Sequence, residues 1–194
     1  MLTELKNAIR PAMVLLLLLT AITGIAYPLA MTGIAQVAMP TQANGSLIRE
    51  GERIVGSELI GQNFAGARYF HPRPSAAGEN GYDASASAAS NLAPGSKNLR
   101  DRIAASVADS GLTGNVSADL VTTSASGLDP HISPEGAFAQ IDRVAAARGL
   151  STATVREAVE RQSETPLLGF VGEPRVNVLR LNRQLDRIPA IPAR

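Results

Sequence analysis

Residues 11–38 read PAMVLLLLLTAITGIAYPLAMTGIAQVA, an apolar stretch without a single charged residue. At the helical rise of about 1.5 Å per residue, about 20 apolar residues cross the hydrocarbon core of a bilayer. The part from Met13 to Ile34 is longer than that. Pro11 suits the first turn of a helix, and Pro28 is expected to bend the helix or to mark where a neighbouring segment packs. The stretch therefore predicts one transmembrane helix.

A cleavable signal peptide is the alternative interpretation of this segment. Lys6 and Arg10 would form its basic region, and residues 33–35 (Gly-Ile-Ala) would form its cleavage site. The apolar part of a signal peptide is only about 7–15 residues long, so we favour a retained anchor. The same two cations favour a cytoplasmic N-terminus, which leaves the rest of the chain outside the cytoplasm.

The composition of the remaining chain restricts its function. About 155 residues follow the anchor, which is enough for one compact domain. This part is formally neutral because 18 Lys and Arg balance 17 Asp and Glu overall, and Glu4, Lys6 and Arg10 precede the anchor. Neutrality disfavours nucleic-acid binding. The absence of cysteine excludes disulfides and thiol chemistry, and the absence of Trp disfavours a stacking platform for sugars or bases.

The order of elements predicts an α+β fold. Four segments follow from the patterns: a cytoplasmic N-terminus (1–10), a transmembrane helix and its exit (11–38), a linker (39–45) and an extracytoplasmic domain (46–194). Short strands come first, and we expect a hairpin around Gly51. Helices dominate later, and strands followed by helices are typical of α+β domains.

Several boundaries follow from capping and turn residues. A long Ala/Ser/Gly-rich loop precedes a helix that starts near Asn98 and ends at Gly111. The segment Asp119–Thr123 predicts a strand. Ser133 and Ser151 are good N-caps, and they predict one helix that ends at Gly149 and a second helix after it.

The loop from Ser124 to Ser133 contains the strongest local candidate for a site. Hydroxyls, backbone amides and a helix N-terminus make an anion or phosphate cradle chemically reasonable. Ser126, Gly127 and Asp129 could equally build a tight turn and cap backbone groups, and spacing alone favours that interpretation.

Other functional classes have weaker signals. His71 and His131 could bind a metal with Asp129 or Asp83, but histidines in separate loops are a poor metal pattern. A serine hydrolase is disfavoured because no Gly-x-Ser-x-Gly elbow is present. The helices within residues 141–162 resemble a helix-turn-helix, but the neutral charge opposes DNA binding.

A family resemblance combines many of these weak signals. It rests on Leu59-Ile60-Gly61-Gln62, Tyr69-Phe70-His71 with Arg73-Pro74-Ser75, Ser126-Gly127-Leu128-Asp129-Pro130-His131-Ile132-Ser133, and Gly172-Glu173-Pro174-Arg175-Val176-Asn177-Val178-Leu179. In this order behind one N-terminal anchor, the chain resembles the C subunit of bacterial Kdp-type, ATP-driven potassium uptake complexes. The match covers nearly the whole chain.

The resemblance implies a function and partners. A channel-like subunit of such complexes conducts potassium, and a P-type ATPase subunit forms the aspartyl-phosphate. The C subunit is an accessory needed for assembly and transport, is not itself catalytic, and is credited with raising the ATP affinity of the ATPase subunit. ATP and potassium act at the level of the complex, and no cofactor or metal is assigned to this chain. The location implied is the bacterial inner membrane.

We expect the functional or partner-contact residues to lie in polar loops. An extracytoplasmic loop cannot meet cytoplasmic ATP, so nucleotide contact stays an attribution of the family, and a free-standing anchored binding protein is the alternative function. In the span, small residues permit close helix packing, which the resemblance favours over a simple tether. The candidates in the loops are His71, Arg73, Ser75, Ser124, Ser126, Gly127, Asp129, His131, Glu173, Arg175 and Asn177, and those in the span are Gly24, Pro28 and Gly33.

Overall fold

The chain forms two compact units, Met1–Leu47 and Ile48–Arg194. The computed structural model describes residues 2–112, 114–166 and 169–189. The last residues of the predicted domain, 190–194, lie outside the described residues. The mixture of helices and short strands behind one long apolar helix confirms the predicted α+β class.

The first unit is dominated by the predicted apolar helix. Helix α1 (Leu2–Leu19), a π-helical turn (Thr20–Ala26) and helix α2 (Tyr27–Ala38) follow one another without interruption. The 36 residues Thr3–Ala38 contain an 18-residue window of mean hydropathy 2.1, of which no part is buried within the chain. The helix is therefore long and apolar enough to cross a membrane.

The π-helical turn lies directly before Pro28. The backbone N–H of Tyr27 donates to the carbonyl of Ile22, five residues earlier in the chain. In an α-helix it would donate to the carbonyl four residues earlier. Pro28 has no N–H, and its ring would clash with the carbonyl of Gly24 in a regular α-helix. Widening the turn relieves that clash, and turns of this kind are typical where a helix ladder is interrupted.

The segment predicted as a linker contains a short helix. Helix α3 covers Pro40–Ala43 and follows Met39, whose non-helical backbone (φ −142°, ψ 60°) ends α2. The side-chain amides of Gln36 and Asn44 pair across it, with N···O distances of 3.0 and 3.3 Å.

Two small sheets follow. Strands β1 (Leu47–Glu50) and β2 (Arg53–Ser57) form the predicted hairpin, and Gly51 at its turn has φ +61°. The second sheet has the order β3-β5-β4 and is antiparallel, so its central strand is the last in the chain. Its strands are β3 (His131–Ile132), β4 (Ser163–Glu164) and β5 (Arg175–Asn177).

Helices pack on the second sheet and enclose the core. They are α5 (Pro134–Phe138), α6 (Ile141–Arg148), α7 (Thr152–Gln162) and α8 (Val178–Asp186). Helix α4 (Lys97–Ser110) precedes them and contributes no buried side chain. The buried side chains of α6, α7 and α8 surround Phe70 and Val176, and together they form one apolar cluster. The core therefore joins the C-terminal helices to an early irregular segment.

Most predicted helix ends are confirmed. Ser133 and Ser151 cap α5 and α7 as predicted, each accepting a hydrogen bond from an N–H three residues later. The helix expected to start near Asn98 begins at Lys97, and its cap is Ser96, which accepts the N–H of Leu99. Gly111 and Gly149 end α4 and α6 in the left-handed conformation.

Two predicted elements are wrong. Asp119–Thr123 is not a strand but holds a 3-10 turn (Ala118–Leu120), because the Asp119 carboxylate turns to accept the backbone N–H of Ser133 at 2.5 Å. The single helix predicted after Ser133 is divided into α5 and α6. The break lies at residues 139–140, where the side chain of Gln140 binds the backbone of His71.

Candidate functional site

Arg73 joins two of the predicted loops. Its Nη1 lies 3.3 Å from Oδ2 of Asp129, and both side chains are partly exposed. Its Nε and Nη2 donate to the carbonyls of Thr122 and Thr123, each at 3.4 Å. The guanidinium therefore holds residues 122–129 against the segment that follows His71.

The carboxylate of Asp129 is bound by the protein itself on both oxygens. While Oδ2 faces Arg73, Oδ1 accepts the backbone N–H of His131 at 3.0 Å and lies 3.4 Å from its Nδ1. Burial alone would raise the pKa of Asp129, but hydrogen bonds from His131 and the charge of Arg73 outweigh it, so the pKa is lowered. The carboxylate is thus held in its ionised form.

Ser75 is the second link between the two loops. Its hydroxyl donates to the carbonyl of Gly127 at 2.6 Å and accepts the backbone N–H groups of Ala77 and Tyr82 at 3.1 and 2.8 Å. The Tyr82 hydroxyl donates to the carbonyl of Arg73. Burial and the nearby Asp129 carboxylate raise the pKa of Tyr82, so its hydroxyl stays a donor.

Gly127 lies where two stretches of backbone meet. It has φ +67°, and an added Cβ would come within 2.5 Å of the Ala88 carbonyl oxygen and 2.9 Å of the Ala77 nitrogen. Only glycine fits both the conformation and the space.

The neighbouring serines serve the same loop. The carbonyl of Ser126 accepts the Ala88 N–H and the Ser87 hydroxyl, each at 3.0 Å. Its own hydroxyl accepts the Leu128 N–H at 3.1 Å and lies 3.5 Å from that of Ser124. The Ala/Ser/Gly-rich loop therefore packs its backbone against residues 126–127.

These contacts bear on the two interpretations of the Ser124–Ser133 loop. The polar residues of this region all bind groups of the chain itself, which is what a role in building the turn requires. They are Arg73, Ser75, Ser126, Asp129 and His131. The phosphate-cradle interpretation stays a prediction.

His71 belongs to a different set of contacts. Its backbone N–H and carbonyl bind Oε1 and Nε2 of Gln140 at 2.7 and 3.1 Å. Its ring Nε2 lies 3.1 Å from the Gly66 carbonyl and 3.4 Å from Nη1 of Arg143. Burial lowers the pKa of His71, and the positive charge of Arg143 adds a smaller effect in the same direction. Within the described part of the chain, no three His, Asp or Glu side chains are grouped so that they could hold a metal ion.

Side chains far along the sequence bind the backbone of the segment before His71, which the sequence analysis did not predict. Arg143 donates to the carbonyls of Ala67 and Tyr69 at 2.7 and 2.9 Å, and Arg148 donates to that of Arg68 at 2.6 Å. No local pattern marks these partners, since 74 to 80 residues separate them.

A cleft of about 740 Å³ lies beside this segment. It is lined by His71, Arg73 and Ser75, among others, and by Asp109 and Ser110 of α4. A second, more open cleft of about 640 Å³ is lined by residues of the Ser124–Pro130 loop together with Arg73. Arg73 thus lines both concave surfaces.

The remaining loop candidates, Glu173, Arg175 and Asn177, have separate surroundings. Asn177 is buried, and its Oδ1 caps α8 while its Nδ2 donates to the Glu58 carbonyl at 2.9 Å. Arg175 forms an ion pair with Glu164 at 3.0 Å, and Glu173 is exposed.

The glycines of the apolar helix leave its surface open. An added Cβ at Gly24 would meet only Thr20 Cγ2, at 3.8 Å, and one at Gly33 would meet nothing within 4 Å. Both positions would let another helix approach closely. Their role in packing stays a prediction.

Comparison with known proteins identifies the family. Residues 9–187 match the family described as "K+-transporting ATPase, c chain". A protein of Polaromonas naphthalenivorans named potassium-transporting ATPase KdpC subunit is 52% identical over 97% of this chain and 99% of its own length. Proteins of the same name from Sorangium cellulosum and Rhodospirillum rubrum are 55% and 54% identical, over 92% and 93% of this chain and 96% and 95% of their own lengths. The chain therefore belongs to the family of K+-transporting ATPase c chains, the KdpC family.

Proposed function

We propose that this protein is a non-catalytic accessory subunit that is needed for assembly and transport in a bacterial potassium uptake complex. As a member of the c-chain family, it is a subunit of a potassium-transporting ATPase. The observation that carries the proposal is the length of the match, because the relatives share the apolar helix and the whole following domain. A free-standing binding protein, the alternative, does not account for that match.

The partners we propose are the channel-like, potassium-conducting subunit and the P-type ATPase subunit of the same complex. Potassium and ATP would then be handled by those partners. The role of this chain would be to build a contact surface beside the channel-like subunit, and its charges could shape the field that cations meet on approach.

The proposed topology is a single pass through the inner membrane with the N-terminus in the cytoplasm. Lys6 and Arg10 precede the apolar window, and cations in a short flanking segment favour the cytoplasmic side. The domain from residue 48 onward would then be extracytoplasmic.

The proposed effect on ATP affinity is indirect. The topology separates the Ser124–Ser133 loop from cytoplasmic nucleotide. The contacts of Arg73 and Asp129 support the same view, because the Arg73 guanidinium, which contacts this loop, is already bound to a carboxylate and two carbonyls. Any change in ATP affinity would have to be transmitted through the partner subunits.

Two experiments test the proposal. An affinity tag on this chain should recover the channel-like and ATPase subunits after mild detergent extraction, whereas recovery of the chain alone would refute subunit membership. Protease added to right-side-out vesicles should digest the domain and leave the apolar helix. Protection of the domain from external protease would refute the topology and would restore direct nucleotide contact as the competing function.

A further inference from the structure

The dipeptide Asn-Gly occurs twice in the chain, as Asn44-Gly45 and as Asn80-Gly81. In such a dipeptide the glycine nitrogen can attack the side-chain amide carbon of the asparagine, because glycine has no Cβ to shield that nitrogen. Both asparagines are exposed, and each lies in a turn. The contacts around the two dipeptides differ, so their chemical reactivity should differ as well.

The reacting groups of the first dipeptide are held by hydrogen bonds. The Nδ2 of Asn44 donates to the carbonyl of Pro40 at 2.7 Å and to Oε1 of Gln36 at 3.0 Å, and its Oδ1 accepts Nε2 of Gln36 at 3.3 Å. The Gly45 N–H donates to the carbonyl of Gln42 at 3.0 Å. These bonds must break before the nitrogen can reach the amide carbon.

The reacting groups of the second dipeptide are nearly free. No hydrogen bond joins the side chain of Asn80 to the part of the chain that the structure describes. The Gly81 N–H lies 3.5 Å from the carbonyl oxygen of Gly78, a long and therefore weak hydrogen bond. The amide carbon of Asn80 and the nitrogen that follows it can thus approach each other at little cost.

The turn around Asn80 is connected to the candidate site through Ser75. An added Cβ on Gly81 would lie 3.2 Å from Cβ of Ser75, so Gly81 packs closely against this serine. The backbone N–H of Tyr82 donates to Oγ of Ser75 at 2.8 Å. Asn80 also lines the cleft of about 740 Å³, together with Arg73 and Ser75. A chemical change at Asn80 would therefore reach the candidate site.

We propose that Asn80-Gly81 is a site of spontaneous covalent modification that releases the contact between Ser75 and Tyr82. The Gly81 nitrogen attacks Cγ of Asn80, so a new C–N bond forms and the bond from Cγ to Nδ2 breaks. The leaving nitrogen takes up the proton of the Gly81 nitrogen and departs as ammonia, which leaves a cyclic imide. Water then opens the ring. Cleavage at Cγ gives aspartate, cleavage at the main-chain carbonyl gives isoaspartate, and no atom is oxidised or reduced.

Both products alter the candidate site. Each places a negative charge in the cleft that Arg73 lines. Isoaspartate also carries its main chain through Cβ and Cγ, which puts one extra carbon between position 80 and Gly81. The extra length shifts Gly81 and Tyr82 relative to Ser75. The reaction requires only water, so this inference does not depend on the proposed function.

The two dipeptides serve as matched sites in one experiment. The full-length chain in detergent is incubated in mildly alkaline buffer, with and without urea, and conversion of each asparagine is followed by peptide mass spectrometry. We expect Asn80 to convert about tenfold or more faster than Asn44 in the folded chain, because every hydrogen bond that must break adds to the barrier. In urea the two rates should become similar.

Three outcomes of this experiment would overturn the proposal. In the first, Asn44 reacts as fast as Asn80 in the folded chain. In the second, Asn80 reacts only in urea, which would show that the folded turn protects it. In the third, the two rates differ as much in urea as in the folded chain, which would assign the difference to neighbouring residues in the sequence.

The variant Asn80→Gln tests the effect on the contact between Ser75 and Tyr82. Its longer side chain closes a larger ring much more slowly, and position 80 is exposed, so folding is preserved. The urea midpoints of fresh wild type and fresh variant should agree. After the same incubation, the midpoint of the wild type should fall below that of the variant. Equal midpoints after conversion of Asn80 would show that the contact persists and would overturn its proposed release.

Discussion

The side-chain amide of Asn182 forms hydrogen bonds with both backbone polar groups of Phe70. Phe70 N–H donates to Asn182 Oδ1 at 2.8 Å, and Asn182 Nδ2 donates to the Phe70 carbonyl at 3.0 Å. Gln140 binds both backbone groups of His71 in the same way. Two consecutive residues of an irregular segment are thus paired by amide side chains as a neighbouring strand would pair them, which lets this segment enter the core without belonging to a sheet.

Replacing Asn182 with leucine should therefore destabilise the domain strongly. Phe70 is fully buried, so its N–H and carbonyl would lose their partners without gaining water. We expect a loss of about 3 kcal/mol in the free energy of unfolding. Urea unfolding of the detergent-solubilised chain, followed by circular dichroism, measures it. Asn98→Leu, an exposed change on α4, is the control; equal effects of the two variants would contradict the interpretation.

Gly127→Ala should be more damaging than Gly149→Ala. The two glycines have nearly the same φ, +67° and +65°, but an added Cβ meets backbone within 3 Å only at Gly127. The backbone conformation alone costs about 1 kcal/mol for alanine. We expect about 3 kcal/mol at Gly127, where the loop must also shift. The difference between the two losses of unfolding free energy measures the cost of the close contact between the added Cβ and the neighbouring backbone. A difference near zero would show that the loop moves to accommodate the Cβ without strain.

Much of the fold could be predicted because its signals are local. Three kinds of feature each depend on residues that lie within a few positions of one another in the sequence. They are the long apolar helix, the serine N-caps at Ser133 and Ser151, and the glycines that end helices at Gly111 and Gly149. The hairpin around Gly51 belongs to the same class. These features survive in the folded protein because tertiary contacts do not oppose them.

The rest depends on contacts between distant residues. The sequence predicts that Asp119 begins a strand. In the structure its carboxylate accepts a hydrogen bond from the backbone N–H of Ser133, and the backbone forms a 3-10 turn. The strands β3 and β5 are only two and three residues long, too short for a period-2 pattern. Within the candidate site, the sequence suggested that Arg73 and Asp129 matter, but 56 residues separate them and nothing local indicated that they bind each other.

Arg73 and Asp129 should be energetically coupled. Both side chains are partly exposed and their closest N···O distance is 3.3 Å, so we expect a coupling of about 1 kcal/mol. A double-mutant cycle with Arg73→Met and Asp129→Asn, measured by urea unfolding, gives this value. Lys97 and Asp101, an exposed pair on one face of α4, provide the control cycle. Additive effects at Arg73 and Asp129 would show that the pair does not join the two loops.

Acidification should destabilise the folded chain through His71. The pKa of its ring is lowered in the folded state by burial and by Arg143, so the unfolded chain takes up the proton at a higher pH than the folded chain does. Stability then falls as the pH drops below about 6.5, the ordinary histidine value, and this loss levels off below the folded-state pKa.

The variant His71→Gln isolates this contribution. Carboxylates that titrate at lower pH are common to both proteins, so the difference between the two stability curves reports on position 71 alone. The wild type should lose more stability than the variant between pH 7.5 and pH 5. Parallel curves over that interval would show that the pKa of the ring is not lowered in the folded state as its burial and its contact with Arg143 predict.

Lys6 and Arg10 should determine the orientation of the anchor. They are the cations that precede the apolar window, and a positively charged flank is retained in the cytoplasm. Replacing both with glutamine should increase the fraction of chains whose domain is protected from external protease in right-side-out vesicles. The matched control is Arg49→Gln with Arg53→Gln, two exposed cations of the hairpin region beyond the anchor, which should leave that fraction at the wild-type level. If the first variant keeps the wild-type orientation, the cations do not set the topology, and the case against nucleotide contact by the Ser124–Ser133 loop must rest on the contacts of Arg73 and Asp129 alone.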